Sequence, residues 1–243
     1  MADPLLESFQ LKHLHLKNRI ITTSHEPAYN DDGFPKDRYI AYHLERAKGG
    51  IAMTMTAGSA VVSKDSPPSF DNIHAYKDEV VPWIKKLTDT IHDHDCKIMI
   101  QLTHLGRRTS WSKGDWLPSL SSGKHREPAH KAFPKVMESW DIDRIIKEYG
   151  DAAERMKEGG MDGVELEGQG HLIGQFLSPL TNELSTEYGG SLENRLRFTI
   201  DVLSDIRKKV GQDFIVGIRC VFDEVEEGGI SKSEGLKIAK LLS

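Results

Sequence analysis

The sequence has few cysteines, no long apolar run and no excess of basic charge. Only Cys96 and Cys220 occur among 243 residues, too few for a disulfide scaffold or a four-cysteine metal cluster. No apolar run approaches the length of a membrane span, and the N-terminal Met-Ala-Asp-Pro lacks the features of a signal peptide. The 32 basic and 37 acidic side chains give a net charge of −5, which argues against a nucleic-acid surface. These absences favour a reduced, cytoplasmic protein that binds neither membranes nor nucleic acids.

Segments with strand character alternate with amphipathic helices along the chain. A small hairpin is predicted over Phe9–Asn18, ahead of the first strand. The predicted strands are Arg19–Thr23, Ile51–Ala57, Lys97–Leu102, Gly163–Leu166 and Phe214–Arg219. The predicted helices are Asp37–Lys48, Asp78–Asp93, Asp141–Lys157, Ser191–Val210 and Ser231–Leu242. This alternation predicts right-handed βαβ units and a parallel sheet.

Local signals mark the ends of three of these helices. The pair Gly49-Gly50 ends the first helix, because glycine readily leaves the helical conformation. Ser191 is an N-cap residue for the fourth helix. Ser231-x-x-Glu234 has the spacing of a capping box, in which each side chain binds the backbone of the other residue.

Five β/α units without a break in the order of strands indicate a (β/α)8 barrel. A closed barrel needs eight strands, and the chain ends in what reads as its fifth helix. We therefore expect residues 1–243 to be one partial barrel domain, with the remaining strands and any C-terminal domains absent. Open sheet edges pair readily, so we also expect this chain to form a homo-oligomer or to associate with the remaining barrel segment.

The stretch from Met161 to Phe198 contains a predicted strand followed by several candidate active-site residues. A short strand is followed by a long polar loop that begins with Glu167, Gln169 and His171. These side chains lie just past the carboxyl end of the strand, where parallel α/β folds place their active sites. A second long loop, from Thr103 to Trp140, reaches the same side of the sheet.

Two motifs in the chain resemble ligand sites but are better explained otherwise. Gly168-x-Gly170-x-x-x-Gly174 is one residue longer than the usual dinucleotide fingerprint, and Pro179 would interrupt the phosphate-binding helix. His92-x-His94-x-Cys96 follows a helix, where solvated histidines are ordinary. We therefore expect neither a Rossmann-type nucleotide site nor a metal site.

Several sequence runs resemble the old yellow enzyme family of flavin oxidoreductases, in the branch with trimethylamine and dimethylglycine dehydrogenases. The runs typical of the family are Gln101-Leu-Thr-His-Leu-Gly-Arg107, Tyr188-Gly-Gly-Ser-Leu-Glu-Asn-Arg-Leu-Arg-Phe198 and Val216-Gly-Ile-Arg219. Further runs resemble the N-methylproline demethylases of that branch, namely His25-Glu-Pro-Ala-Tyr29, Met53-Thr-Met-Thr-Ala-Gly-Ser-Ala60 and Val164-Glu-Leu-Glu-Gly-Gln-Gly-His-Leu172. The resemblance covers essentially the whole chain.

The resemblance implies FMN across the top of the barrel, bound without a covalent link. The implied contacts are Thr23, Ser24, Ala57, Gln101 and Arg219, with the Arg219 guanidinium near the flavin N1 and O2. An ion pair of Arg219 with Asp223 or Glu224 is the alternative. Glu26 stands where trimethylamine dehydrogenase has its flavin-linked cysteine. NAD(P)H or another electron carrier is also implied, and an iron–sulfur cluster only in a C-terminal part beyond this chain.

Departures from the family pattern bear on the substrate. His171 takes the position of the family's tyrosine proton donor, and an imidazole titrating near neutrality suits amine oxidation. Glu167 is a candidate for recognising a cationic amine, with a structural role as the alternative. His171 and Glu26 are the candidates for handling the proton and the ammonium group. Tyr29, Trp111 and Trp116 are candidates for cation–π contacts with the amine, although such residues also pack loops.

These residues together indicate an FMN-dependent oxidoreductase that acts on CH–NH bonds of a small amine or amino acid. The expected reaction is N-demethylation, in which a hydride leaves an N-methyl group for the flavin and the iminium hydrolyses to formaldehyde. Two alternatives stay open. One is an NAD(P)H-dependent ene reductase of enone or dienoyl substrates, and the other is a non-catalytic barrel fragment.

Overall fold

A computed structural model describes residues 3–66, 71–108, 117–129, 131 and 133–243. Its strands are β1 (Phe9–Leu11), β2 (Leu14–Leu16), β3 (Met53–Val61), β4 (Lys97–Thr103), β5 (Leu120–Ser121), β6 (Lys135–Val136), β7 (Gly163–Gly168) and β8 (Ile215–Cys220). Its α-helices are α1 (Asp37–Lys48), α2 (Val81–His92), α3 (Ser139–Glu158), α4 (Leu172–Leu177), α5 (Leu192–Val210) and α6 (Lys232–Leu242). Short 3₁₀ helices cover Pro4–Leu6 and Asp78–Val80.

Strands β3, β4, β7 and β8 form a parallel sheet in that order. Each strand follows its neighbour in sequence after a helical crossover, which is the pattern predicted from the alternation of strands and helices. Apolar side chains on one face of the sheet, such as Ile98, Ile100 and Val164, are fully buried against the helices. The helices and this face of the sheet therefore share one core.

The other face of the sheet has an apolar half and a polar half. Near the amino ends of the strands, Met53, Met99 and Ile215 pack with Leu14 and Leu16 of the β1–β2 hairpin. Strand side chains alternate with a period of two, so residues two or four positions apart lie on the same face. Gln101, two residues after Met99 in β4, and Arg219, four residues after Ile215 in β8, therefore lie on this face. The hairpin thus covers the apolar end, and the polar end lies at the carboxyl edge.

The predicted first strand, Arg19–Thr23, is not a buried strand, and that prediction is wrong. Only Ile21 forms a bridge, to Met53, and the Thr22 amide donates to the Met53 carbonyl at 3.0 Å. Ile20 and Ile21 are 38% and 47% exposed. In the described part of the chain no strand pairs with the other side of this segment, so it gains neither a second ladder nor burial.

Two local predictions also need correction. The loop after β7 is not wholly polar, because it contains the six-residue helix α4, whose residues are all buried. Ser231 caps α6 by accepting a bond from the Glu234 amide, but the Glu234 carboxylate does not return the bond. It instead pairs with the buried guanidinium of Arg195 on α5. A long-range ion pair thus replaces half of the predicted capping box.

Candidate active site

One open cleft of about 540 Å³ lies at the carboxyl edge of the sheet. Its size is in the usual range for a small-molecule site. The lining residues are Thr23, Ser24, His25, Glu26, Ala28, Gly58, Gln101, Arg108, Glu167, His171 and Arg219. Seven of the eleven site residues predicted from the sequence are therefore brought together in one place, although the role of each stays a prediction.

Two side chains that line the cleft, Gln101 and Arg219, both donate hydrogen bonds to Glu165 on β7. Gln101 Nε2, on the neighbouring strand β4, donates to Glu165 Oε1 at 2.7 Å. From the other side, Arg219 of β8 donates through Nε to Oε1 at 3.0 Å and through Nη2 to Oε2 at 3.2 Å. The alternatives considered for Arg219, Asp223 and Glu224, are not the partners found here. The carboxylate that balances Arg219 comes from the adjacent strand.

His171 is the N-cap residue of α4, and its side chain is held by one hydrogen bond. Its Nδ1 is 2.8 Å from the Thr103 hydroxyl oxygen, which leaves Nε2 for a bound molecule. Burial, together with the electrostatic effect of Arg108 and His104, lowers the pKa of His171 to about 3. The expectation of an imidazole that titrates near neutrality is therefore wrong, because the ring is neutral throughout the physiological pH range.

Two carboxyl groups of the cleft have raised pKa values. Burial raises the pKa of Glu26 to about 7, against an opposing hydrogen bond from the Ala28 amide at 3.0 Å. Burial also raises the pKa of Glu167, and the negative charge of Glu165 adds to the effect, while the Gln169 amide donates to Glu167 Oε1 at 2.7 Å. Both groups accept a proton more readily than an ordinary carboxylate does.

The loop that supports His171 is held by Gln175 of α4. Gln175 Oε1 accepts from the Arg107 amide at 3.1 Å and from the Ser121 hydroxyl at 3.0 Å, and Nε2 donates to the Leu105 and Gly170 carbonyls. The Leu172 amide donates to the His104 carbonyl at 2.9 Å. The residues on either side of His171 are therefore tied to the segment that follows β4.

The glycines that resembled a nucleotide fingerprint have a packing role. A Cβ atom on Gly174 would lie 2.7 Å from the Gly168 carbonyl oxygen, and one on Gly168 would lie 2.6 Å from the Arg219 carbonyl oxygen. Both glycines allow α4 and β8 to approach the end of β7 closely. The motif needs no nucleotide to explain it.

Of the four other predicted site residues, only Tyr29 has a described side chain, and it does not line the cleft. Tyr29 packs edge-on against Tyr42 on α1, with the Arg38 guanidinium 3.8 Å from its ring centre, so its aromatic face is already taken. Ala57 lies in β3 beside Gly58, where the pairing with β4 shifts register. Trp116, like Trp111, lies outside the described residues.

Sequence reasoning missed Glu165, His25 and Arg108 as site residues. Glu165 lies within the predicted strand Gly163–Leu166, and no local signal shows that its neighbours across the sheet are Gln101 and Arg219. His25 and Arg108 stand beside predicted site residues, in segments that follow a predicted strand, so position along the chain was the available signal.

Within the described ranges, no group of three histidine, cysteine or acidic side chains is arranged to hold a metal ion. None of the described helices is long and apolar enough to cross a membrane.

The pattern of the NADH:flavin oxidoreductase / NADH oxidase family matches residues 4–243. The chain belongs to this family. The flavin oxidoreductase assignment made from the sequence runs is thereby confirmed, and the members of this family are enzymes.

Two curated relatives match almost the whole chain. A probable N-methylproline demethylase of Rhizobium meliloti (strain 1021) is 66% identical over 99% of this chain. A multifunctional alkene reductase/demethylase of Caballeronia cordobensis is 46% identical, again over 99% of this chain. The chain spans 35% of the length of each relative.

The fold has a close counterpart among solved structures. A 2-naphthoyl-CoA reductase complex superimposes with a TM-score of 0.91 at 28% identity, covering 98% of this chain and 38% of that chain. The prediction of an old yellow enzyme-type TIM barrel, of which this chain covers only part, is confirmed.

Proposed function

We propose that this flavin oxidoreductase removes the methyl group of a small N-methylated amino acid such as N-methylproline, with FMN as its non-covalent cofactor. The observation that carries the proposal is the chemistry of the cleft, where two carboxyl groups with raised pKa values stand beside a neutral histidine. None of the described lining residues is a tyrosine, the proton donor on which the family's alkene reduction depends. The name of the 66% identical relative supports the same reaction.

The residues of the cleft floor suit the edge of a flavin ring. Gln101 is fully buried, and its Oε1 accepts no hydrogen bond from any described residue. A buried acceptor of this kind calls for a donor on a bound molecule. The Arg219 guanidinium stands on the other side of the same carboxylate and suits an adjacent oxygen or anionic nitrogen. The backbone at Thr23, Ser24 and Ala57 completes the proposed FMN contacts.

FMN, when bound, would supply the acceptor for a hydride from the N-methyl carbon. The amine must first lose its proton, because only a nitrogen with a free lone pair can support that loss of hydride. Glu26, with a pKa of about 7, is the group in the cleft that can take this proton near neutral pH. The substrate iminium then reacts with water to give formaldehyde and the demethylated amine.

Glu167 and His171 have binding roles in this proposal. Glu167 faces the substrate as a carboxyl group and attracts a cationic amine when it is ionised. His171 orients the substrate through Nε2, since its pKa of about 3 keeps it from holding a proton at neutral pH. The low cysteine content supports a cytoplasmic location for this chemistry.

A second candidate function is alkene reduction with NAD(P)H as the reductant of the flavin. The specific observation in its favour is the name of the 46% identical relative, which combines alkene reductase with demethylase. Glu26 is half protonated near neutral pH and would then be the proton donor in place of a tyrosine.

The two functions are separated by the direction of electron flow. We expect N-methylproline to reduce the FMN-loaded protein without oxygen and to release one formaldehyde per flavin reduced. Proline is the matched control substrate, since it has the same ring and carboxylate without the methyl group. If N-methylproline leaves the flavin oxidised while an enone reoxidises the reduced flavin, the protein is an alkene reductase and the demethylase proposal fails.

A further inference from the structure

Glu165 is partly buried between Gln101 and Arg219, the two cleft-lining side chains proposed to meet the flavin edge. Its side chain is 13% exposed. It stands on β7, directly opposite Gln101 of β4 in the strand register, and Arg219 reaches it from β8. It therefore links three adjacent strands of the sheet through one carboxylate.

The carboxylate determines which way the Gln101 amide points. An ionised carboxylate only accepts hydrogen bonds, so the Gln101 atom 2.7 Å from it has to be the NH₂ nitrogen. The amide oxygen is then the end left over, and it is the buried atom without a described partner. With Glu165 neutral or absent, the amide would have no such reason to keep this orientation.

The same carboxylate lowers the net positive charge of the floor. Arg219 donates to both of its oxygens, a two-point contact that fixes the guanidinium plane. Arg219 is 37% exposed, so the pair lies at the cleft and not within the core. The charge that Arg219 can offer to a ligand is therefore partly balanced before any ligand binds.

We propose that Glu165 is the positioning residue of the flavin site, which holds the Gln101 oxygen ready to accept from a bound donor and limits how strongly Arg219 favours an anionic ligand. The inference rests on the proposed FMN site. Its consequence is that Glu165 sets the preference of the site for reduced, anionic flavin over oxidised flavin, without touching the reacting atoms.

The first test needs no flavin and uses the side-chain NMR signals of the purified chain. We expect the Gln101 NH₂ and Arg219 Nε–H protons to be protected from exchange, and Glu165→Gln to abolish the protection of Arg219 and to shift the Gln101 signals. Glu234→Gln is the matched control, because it also removes a carboxylate from an arginine, Arg195, away from the cleft. Unchanged Gln101 and Arg219 signals in Glu165→Gln would overturn the proposal.

The second test measures the dissociation constants of oxidised and reduced FMN. We expect Glu165→Gln to raise the ratio of the oxidised to the reduced constant about tenfold, because one negative charge leaves the neighbourhood of Arg219. Glu165→Asp keeps the charge and should restore most of the wild-type ratio, while Glu234→Gln should leave the ratio unchanged.

The two tests separate this inference from the proposed function. A lower thermal stability of Glu165→Gln with an unchanged FMN ratio would show a merely structural role and would overturn the proposal. A different outcome is that the NMR result is as expected but neither form of FMN binds to the wild-type protein. Glu165 would then still position Gln101 and Arg219, but the proposed FMN site and the proposed function would both be refuted.

Discussion

Replacing Glu26 by glutamine should stabilise the flavin-free chain at alkaline pH and hardly at acidic pH. In the folded protein the pKa of Glu26 is raised by burial from 4.5 to about 7. Well below pH 4.5 the group is protonated in both the folded and the unfolded chain, so it does not affect stability. As the pH rises towards 7 the unfolded chain loses the proton first, and the folded state becomes progressively less stable relative to it.

The size of the effect follows from the pKa shift. One pKa unit corresponds to about 1.4 kcal/mol, so the shift of Glu26 destabilises the folded chain by about 3 kcal/mol above pH 7. Glutamine keeps an oxygen for the Ala28 amide but cannot ionise. Between pH 5 and pH 8, the stability of Glu26→Gln relative to wild type should therefore rise by about 2 to 3 kcal/mol.

Urea unfolding of both proteins at pH 5, 6, 7 and 8 measures this difference directly. Glu45→Gln is the matched control, because Glu45 is an exposed residue of α1 whose pKa is lowered by its hydrogen bond with Lys48. Its stability difference from wild type should stay flat over the same pH range. A difference for Glu26→Gln that is equally flat would refute the assignment of a neutral-range titration to Glu26.

Two other substitutions test the surroundings of His171. His171→Phe in the FMN-loaded protein should slow flavin reduction by N-methylproline by about 10², the usual scale for a misplaced substrate. The factor should be the same from pH 6 to pH 9, because the pKa of the imidazole is about 3 and it does not titrate there. A factor that changes steeply with pH near neutrality, in stopped-flow measurements, would contradict this. Gly106→Ala should destabilise the chain by more than about 1 kcal/mol in thermal or urea unfolding. Gly106 has a φ of +61°, and a Cβ atom there would lie 2.3 Å from Gln175 Oε1. A stability equal to that of wild type would show that the loop accommodates the added methyl group without cost.

The fold was predictable where the decisive signals are local in sequence. The predicted bounds of α1 match the structure, since Gly49-Gly50 ends it, and Ser191 caps α5 through the Asn194 amide. The same local reasoning proposed Asp223 or Glu224 as the partner of Arg219, four or five residues away. The partner is Glu165, 54 residues earlier, because parallel strands bring distant residues side by side.

The candidate site was predictable as a set of residues but not in its protonation states. Carboxyl ends of parallel strands converge, so the strand pattern alone places Gln101 and Arg219 at one edge. The pKa of His171 depends instead on its burial at the start of α4 and on the electrostatic effect of Arg108 and His104. Those surroundings are assembled from separate segments, and α4 itself was read as a polar loop.

The three glutamates of the cleft show how one residue type can have three roles. Glu165 is held by the Arg219 guanidinium, which donates to both of its carboxylate oxygens. Glu167 and Glu26 lack such an ion pair among the described contacts, and burial favours their protonated forms. Environments that push equivalent groups apart in pKa are what divide acid–base work from binding in an active site.

This division moves the proton-accepting role from His171 to Glu26. His171, with a pKa of about 3, does not hold a proton at neutral pH. Glu26, with a pKa of about 7, gains and loses a proton there with little change in free energy. The proposed amine oxidation needs one such group on the substrate side of the cleft. Glu26, in the segment that follows residues 20–22, meets that need, and His171 is left with the task of orientation.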